Sequence, residues 1–315
     1  MKYESTRGGL KDISAAQAIK TGIAPDGGLF VPMRKVTVDL EFIKGLVDDT
    51  YQQRAFKILS LFLTDYDQDE LESCIHKAYG DQFSSPDIAP VVRLHEQLHM
   101  LELWHGPTCA FKDMALQILP HFLVKAIEKT GEQAEIIILV ATSGDTGKAA
   151  LEGFSDVEGT RIVVFYPNGG VSEVQRLQMV TQKGANTAVV AVNGNFDDTQ
   201  NGVKKIFTNA NIREKLENSG LKFSSANSIN WGRLVPQIVY YFSAYAELIK
   251  DGTITLGENI NFVVPTGNFG NILAAWYAKD MGLPVNRLIC ASNGNNVLTD
   301  FIIQGDYDKR RKLYK

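Results

Sequence analysis

A chain of 315 residues that is 44% hydrophobic and 22% charged has ordinary globular composition, with length enough for two or three compact units. Its net charge of −4 at pH 7 gives no reason to expect nucleic acid or an anionic membrane as partner, and the basic run Lys309-Arg310-Arg311-Lys312 reads as a solvated tail. Three widely spaced cysteines, Cys74, Cys109 and Cys290, with no apolar stretch fit for a signal peptide or a membrane span, argue against a disulfide framework and for a soluble protein of the reducing cytoplasm.

The first 85 or so residues read as mainly helical. A short helix is expected over 13–21, with Ser14 near its start and Gly22 as its stop. Longer helices follow over 51–63 and 69–79, the second ended by Gly80. Pro25-Asp26-Gly27-Gly28 predicts a turn into an extended piece over 29–32. The character changes around Ser84-Ser85-Pro86 and Pro90. Two short strands then stand at 91–94 and 98–104, with a helix over 114–129.

From there the pattern is strand, glycine-containing loop, helix, repeated. Apolar runs at 136–141, 161–166, 187–192 and 260–266 each lead into such a loop, followed by helices that include 203–207 and one starting at Ile272. Apolar runs of this kind, without clean alternation, predict parallel strands covered on both faces, an α/β sheet. Ligands in such folds bind beyond the carboxyl ends of the strands.

Three of these loops carry residues suited to chemistry. Gly267-Asn268-Phe269-Gly270-Asn271 follows a strand and opens a helix, so its N–H groups can converge on one anion at the positive helix end. Ser143-Gly144-Asp145-Thr146-Gly147-Lys148 has neither the spacing of a nucleotide-binding P-loop nor that of a dinucleotide fingerprint. What remains is a hydroxyl-rich helix start (Thr142, Ser143, Thr146) able to hold a carboxylate or phosphate. Asp145 is unsuited to an anion and better placed to accept a hydrogen bond from a hydroxyl or a protonated imine. Ser143 or Asp145 could equally serve as a helix cap.

Lys112, in His105-Gly106-Pro107-Thr108-Cys109-Ala110-Phe111-Lys112-Asp113, stands at a helix start. The helix dipole there favours a neutral amine, which Schiff-base chemistry requires, while Asp113 opposes the effect. One lysine with one phosphate cradle would suit a phosphorylated aldehyde cofactor, and the second loop is left for an anionic substrate. His95-Glu96-Gln97-Leu98-His99 matches the zinc-protease pattern HExxH, but the pattern needs both histidines on one helix face. Here it straddles two strand-like runs. No metal site is expected, and His76, His105 and His121 read as structural or surface residues.

The stretches Tyr3-Glu4-Ser5-Thr6-Arg7-Gly8-Gly9, Pro25 through Pro32, His105-Gly106-Pro107-Thr108 with Phe111-Lys112-Asp113, Thr142 through Gly147, Asn227-Ser228-Ile229-Asn230-Trp231-Gly232-Arg233 and Pro265 through Asn271 together resemble the motifs of bacterial and fungal threonine synthases, in that family's order. The resemblance implies an α/β fold of the fold-type II pyridoxal-phosphate class, like the tryptophan synthase β chain: mostly parallel sheets with flanking helices, plus a helical N-terminal region. It implies a mainly helical N-terminal domain over 1–90, a large cofactor-binding domain from 91–135 and 231–315, and a small α/β domain over 136–230.

By the same resemblance Lys112 is the catalytic residue and forms the Schiff base with pyridoxal 5'-phosphate. Asp145 and Gly267, Asn268, Phe269, Gly270 and Asn271 bind the cofactor. Thr142, Ser143 and Thr146, with Ser228, Asn230 and Arg233, lie toward the substrate. The implied reaction converts O-phospho-L-homoserine and water to L-threonine and phosphate, by γ-elimination and then β-addition, in a monomer or homodimer. Other members of the same fold, a serine/threonine dehydratase or a β-replacement enzyme, and an inactive fragment that only binds a phosphorylated ligand, are the alternatives. The sequence departs from the family in two ways: members continue beyond the position of Lys315, so that a C-terminally incomplete chain is implied, and Cys109 replaces an expected aliphatic residue.

Overall fold

In a computed structural model that describes residues 1–142, 144–227, 229–265 and 267–307, excluding the side chain of Thr208, the N-terminal stretch carries a small ladder as well as helices. β1 (Tyr3–Ser5) pairs antiparallel with β2 (Phe30–Pro32), and α1 (Ala15–Thr21) lies between them. α2 (Leu40–Lys44), α3 (Tyr51–Leu59) and α4 (Gln68–Ala78) follow. Each start has its chemical cause. Ser14 accepts from the amide of Gln17, while Thr50 with Gln53 and Asp67 with Glu70 exchange reciprocal caps, satisfying amides that a helix leaves free. α3 stops at Leu59, short of the expected residue 63. Leu61 and Phe62 donate to carbonyls only three residues back, which tightens the chain into a turn.

β3 (Val91–His95) and β4 (Leu98–Leu101) form an antiparallel hairpin with His95 opposite Leu98. The HExxH residues therefore span a hairpin turn and not a helix. The single helix expected over 114–129 is two: α5 (Asp113–Leu116) and α6 (Leu119–Lys129). Pro120 sits in the first turn of α6, where its missing N–H costs nothing, whereas inside one continuous helix it would break the ladder.

The larger sheet is built from β5 (Glu135–Ala141), β6 (Thr160–Pro167), β7 (Thr187–Val192) and β8 (Leu221–Ser224), with α7 (Asp145–Phe154), α8 (Glu173–Val180), α9 (Phe196–Thr208) and α10 (Ala210–Glu217) connecting them. Its strand order is β7-β6-β5-β8, parallel throughout. β5 is internal and buries Ile136, Ile138, Leu139 and Val140, as a strand covered on both faces must. α11 (Trp231–Leu234) and α12 (Pro236–Lys250) precede a second parallel pair, β9 (Ile260–Pro265) with β10 (Val285–Ala291), joined by α13 (Gly270–Met281); α14 (Val297–Gln304) closes the described chain. The fold is α/β, parallel sheets with flanking helices, as expected.

α12 is apolar on nearly every side and correspondingly buried. Beside it, Trp231 is enclosed by the rings of Tyr3, Phe62 and Tyr277 at 5.5, 5.6 and 5.5 Å. The N-terminal segment thus shares one core with the part of the chain that carries the loops. Among the described residues, no helix is long and apolar enough to cross a membrane. Ser143, Ser228, Thr266 and the basic run at 309–312 lie outside the described residues.

Candidate active site

The carboxyl end of β5 delivers the chain to Thr142, and three residues later α7 begins. Thr142 is buried, and its hydroxyl accepts from the amides of Gly144 and Gly147, each at 3.1 Å, while donating to the Gly144 carbonyl at 2.9 Å. It therefore caps α7 from outside the helix, and the Asp145 side chain is not needed for that task. A hydroxyl so engaged shapes the loop beside the expected substrate side. The hydroxyl of the half-buried Thr146 makes no hydrogen bond among the described residues.

Asp145, the first residue of α7, points across to the loop after β4. Lys112 Nζ donates to both of its carboxylate oxygens at 2.7 Å. The Lys112 side chain is 14% exposed and that of Asp145 46%, so a mostly buried amine meets a carboxylate that solvent reaches. The same ammonium lies 4.6 Å from the Phe111 ring centroid. Burial lowers the Lys112 pKa, and Arg233 pushes it further in that direction, against the opposing charge and hydrogen bond of Asp145 and the charge of Asp113. The expected cause, a helix dipole, has little to act through, because α5 is a single turn. Desolvation of the charged form takes its place.

Two contacts aim Lys112. The fully buried Asp113 carboxylate accepts from the Thr108 amide at 2.8 Å and from the Thr108 hydroxyl at 2.6 Å, which closes the loop 108–113 on itself. Behind it, α5 and α7 pack so closely that a Cβ on Gly153 would lie 2.0 Å from the Leu116 carbonyl oxygen. That approach sets the distance between the helices that follow Lys112 and begin with Asp145. Neither Asp113 nor Gly153 stands out in the sequence as a site residue; the five-residue spacing from Thr108 to Asp113 is the one local signal.

Arg233, on α11, is buried, and Nη1 donates to the Ala226 carbonyl at 2.9 Å. Its other guanidinium donors take no acceptor among the described residues. Burial brings its pKa down to about 10, against the pull of Asp145, so the two charges share one environment with Lys112. Asn230, read from the sequence as a substrate contact, is buried and bonded to the backbone. Its amide nitrogen donates to the carbonyls of Ile19 at 3.0 Å and Ser225 at 2.9 Å, and its oxygen accepts from Gly232 N at 2.9 Å. Both donors of that side chain are engaged by the protein.

At the end of β9 the loop 267–271 enters α13 through Phe269, held left-handed at φ 67°. No side chain caps α13, and among the described residues the amides of Gly267, Asn268, Phe269 and Gly270 meet no protein acceptor. Asn271 braces the turn. Its side chain donates to Pro265 O and accepts from Ile272 N, and its carbonyl takes the Tyr241 hydroxyl at 2.9 Å. Unclaimed amides at a helix start are what a phosphate requires. A buried amine whose charged form burial disfavours is what an aldehyde requires. The residues present therefore fit a phosphorylated aldehyde.

Comparison with known proteins bears on this arrangement. Residues 2–79 match the family model described as threonine synthase N terminus, and residues 89–313 match the model for pyridoxal-phosphate dependent enzymes. Threonine synthase-like 1 of Homo sapiens is 45% identical over 308 residues, which is 95% of this chain and 41% of that protein. Threonine synthase of Pseudomonas aeruginosa is 40% identical over 98% of this chain and 63% of its own length. The crystal structure of pyridoxal-phosphate-bound threonine synthase from Brucella melitensis superposes with a TM-score of 0.89 at 38% identity, covering 100% of this chain and 65% of that one. Escherichia coli threonine synthase gives 0.83 at 35%, covering 98% and 68%. The chain spans 41% of the length of the threonine synthase-like 1 proteins and 60–63% of the fungal and bacterial threonine synthases it matches in sequence.

Proposed function

Because the chain belongs to the pyridoxal-phosphate dependent enzymes, in their threonine synthase branch, we propose that it binds pyridoxal 5'-phosphate through Lys112 and converts O-phospho-L-homoserine and water to L-threonine and phosphate. The observation that carries the reading is the buried Lys112 amine, lowered in basicity and held at 2.7 Å by Asp145. The amides of 267–270 at the start of α13 would hold the cofactor's phosphate. When bound, the cofactor supplies a conjugated, electron-withdrawing ring that spreads negative charge arising on the substrate's carbons.

Lys112 Nζ is the base of the site. Its lowered pKa keeps more of the neutral amine near neutrality, which suits it to take protons from Cα and Cβ and to return one at Cγ once phosphate has left. Asp145 orients that nitrogen and stabilises its protonated form. Arg233 has donors to spare and Thr146 a free hydroxyl, which suits both to the substrate's anionic groups. Water then adds its oxygen at Cβ and gives up a proton, and Lys112 would return one to Cα to complete the amino acid. The pairing of Lys112 with Asp145 fixes where these transfers occur, which is the protein's share of the rate. The division into an N-terminal domain at 1–90, a large domain from 91–135 and 231–315, and a small domain at 136–230 belongs to this proposal, supported by a four-stranded sheet contained within 135–224. Three unpaired cysteines fit a reducing cytoplasm.

Reconstitution with pyridoxal phosphate tests the reading. The expected result is a visible absorbance, borohydride-fixed label on Lys112 found by peptide mass spectrometry, and phosphate release from O-phosphohomoserine. Lys112→Ala loses all three. Turnover surviving in that variant overturns the assignment.

A further inference from the structure

The buried side chain of Asn230 leads back to the N-terminal segment. Its amide reaches the Ile19 carbonyl in the last turn of α1, 211 residues earlier in sequence. Ser224 makes a parallel bond, its hydroxyl donating to Lys20 O at 2.8 Å. Capping α11 uses only the Asn230 oxygen; of the two bonds from its nitrogen, the one to Ser225 O closes the segment on itself and the one to Ile19 O ties it to α1. Arg233 is attached to that same segment at both ends. Its backbone N donates to Asn230 O at 3.0 Å, and its guanidinium donates to Ala226 O at 2.9 Å.

We infer that α1 positions Arg233 beside Lys112 and Asp145 through Asn230, which is a positioning residue and not a ligand-binding one. The C-terminal carbonyls of α1 are the fixed point, since a helix end leaves acceptors free for such a clamp. The approach is close on the α1 side as well. Gly22, at φ 76°, carries no side chain where a Cβ would come within 3.3 Å of Asn230 Nδ2 and 3.4 Å of Ser225 N. The N-terminal segment thereby contributes to the site without a residue in it. This inference rests on the reading that Lys112, Asp145 and Arg233 form one site.

The test uses the full chain without cofactor and follows the pH dependence of Lys112 acylation by acetic anhydride, read by peptide mass spectrometry. Arg233 bears a positive charge that disfavours a second one on Lys112. Arg233→Gln therefore moves the labelling midpoint to higher pH, and Asn230→Ala moves it the same way because Arg233 is no longer held. In the reconstituted enzyme, Asn230→Ala raises the KM for O-phosphohomoserine about tenfold, the share of one charge-assisted hydrogen bond, and does so more than it lowers kcat. A parental Lys112 profile in Asn230→Ala, with a shifted one in Arg233→Gln, overturns the positioning role and leaves the site reading intact. An unshifted Arg233→Gln overturns the site reading itself. Should Asn230→Ala fail to fold, Gly22→Ala crowds the same amide from α1 without removing it, and its Lys112 profile decides: a shift to higher pH supports the clamp, and a parental profile overturns it.

Discussion

Asp113 and Lys112 are neighbours in sequence with opposite tasks, and burial separates them. The Asp113 carboxylate has no exposure and two donors from Thr108; the Lys112 side chain keeps 14% exposure and pairs with the half-exposed Asp145. Removing the carboxylate leaves the buried Thr108 amide and hydroxyl without acceptors, and an orphaned buried donor costs more than the bond it made was worth. Asp113→Ala is expected to lose about 2–3 kcal/mol of stability in urea unfolding; a loss under about 0.5 kcal/mol would mean the loop does not depend on this clamp. Lys112 and Asp145 draw attention in the sequence because each stands at the start of a helix that follows a glycine-containing loop, and the fold brings the two together. The backbone bonds of Asn230 and Thr142 are not visible in the sequence, for a common reason. Their residue types suit ligands and backbone equally, and the partners that decide between the two are either remote, as Ile19 is, or set by the loop's own turn, as Gly144 and Gly147 are.

The elements that place the site were read with uneven success, and each miss has a local cause. β7 was expected over 187–192 and is found there, because an apolar β-branched run between glycines admits no other reading. The break between α5 and α6 was missed because the hydrophobic pattern runs straight through it, and only Pro120 marks the new start. The spacing of α5 from α7 was not legible at all: Gly153 looks like a neutral helix residue until the Leu116 carbonyl stands against it. Gly153→Ala must push the helices apart, at about 1–3 kcal/mol for overpacking. The Lys112 carboxylate partner rides on α7, so separation weakens the influence that raises the Lys112 pKa. Its labelling midpoint therefore moves to lower pH, the opposite sense from Asn230→Ala. A lower melting temperature with an unchanged Lys112 profile would break the link between this contact and the site.

Across the whole molecule, the N-terminal segment is joined to the rest by aromatic packing and by charge. Trp231 sits among Tyr3, Phe62 and Tyr277, and the buried Arg54 of α3 donates to Ser243 and Glu247 of α12. Stability under acid should therefore report on the whole structure. His121 on α6 is its clearest probe. Burial, with a smaller contribution from Lys77, pushes its pKa from 6.5 down to about 4. Between those values the unfolded chain binds a proton that the folded chain refuses, so stability falls as pH drops through this window. The full shift corresponds to about 3 kcal/mol at 1.36 kcal/mol per unit, and screening at a ring that keeps some contact with water brings this to about 2 kcal/mol. Glutamine cannot titrate. Urea unfolding at pH 7 and pH 4.5 should show the parent losing about 2 kcal/mol more than His121→Gln, since every other titrating group is common to both chains. Equal losses would mean that His121 is as accessible to protons in the folded chain as in the unfolded one.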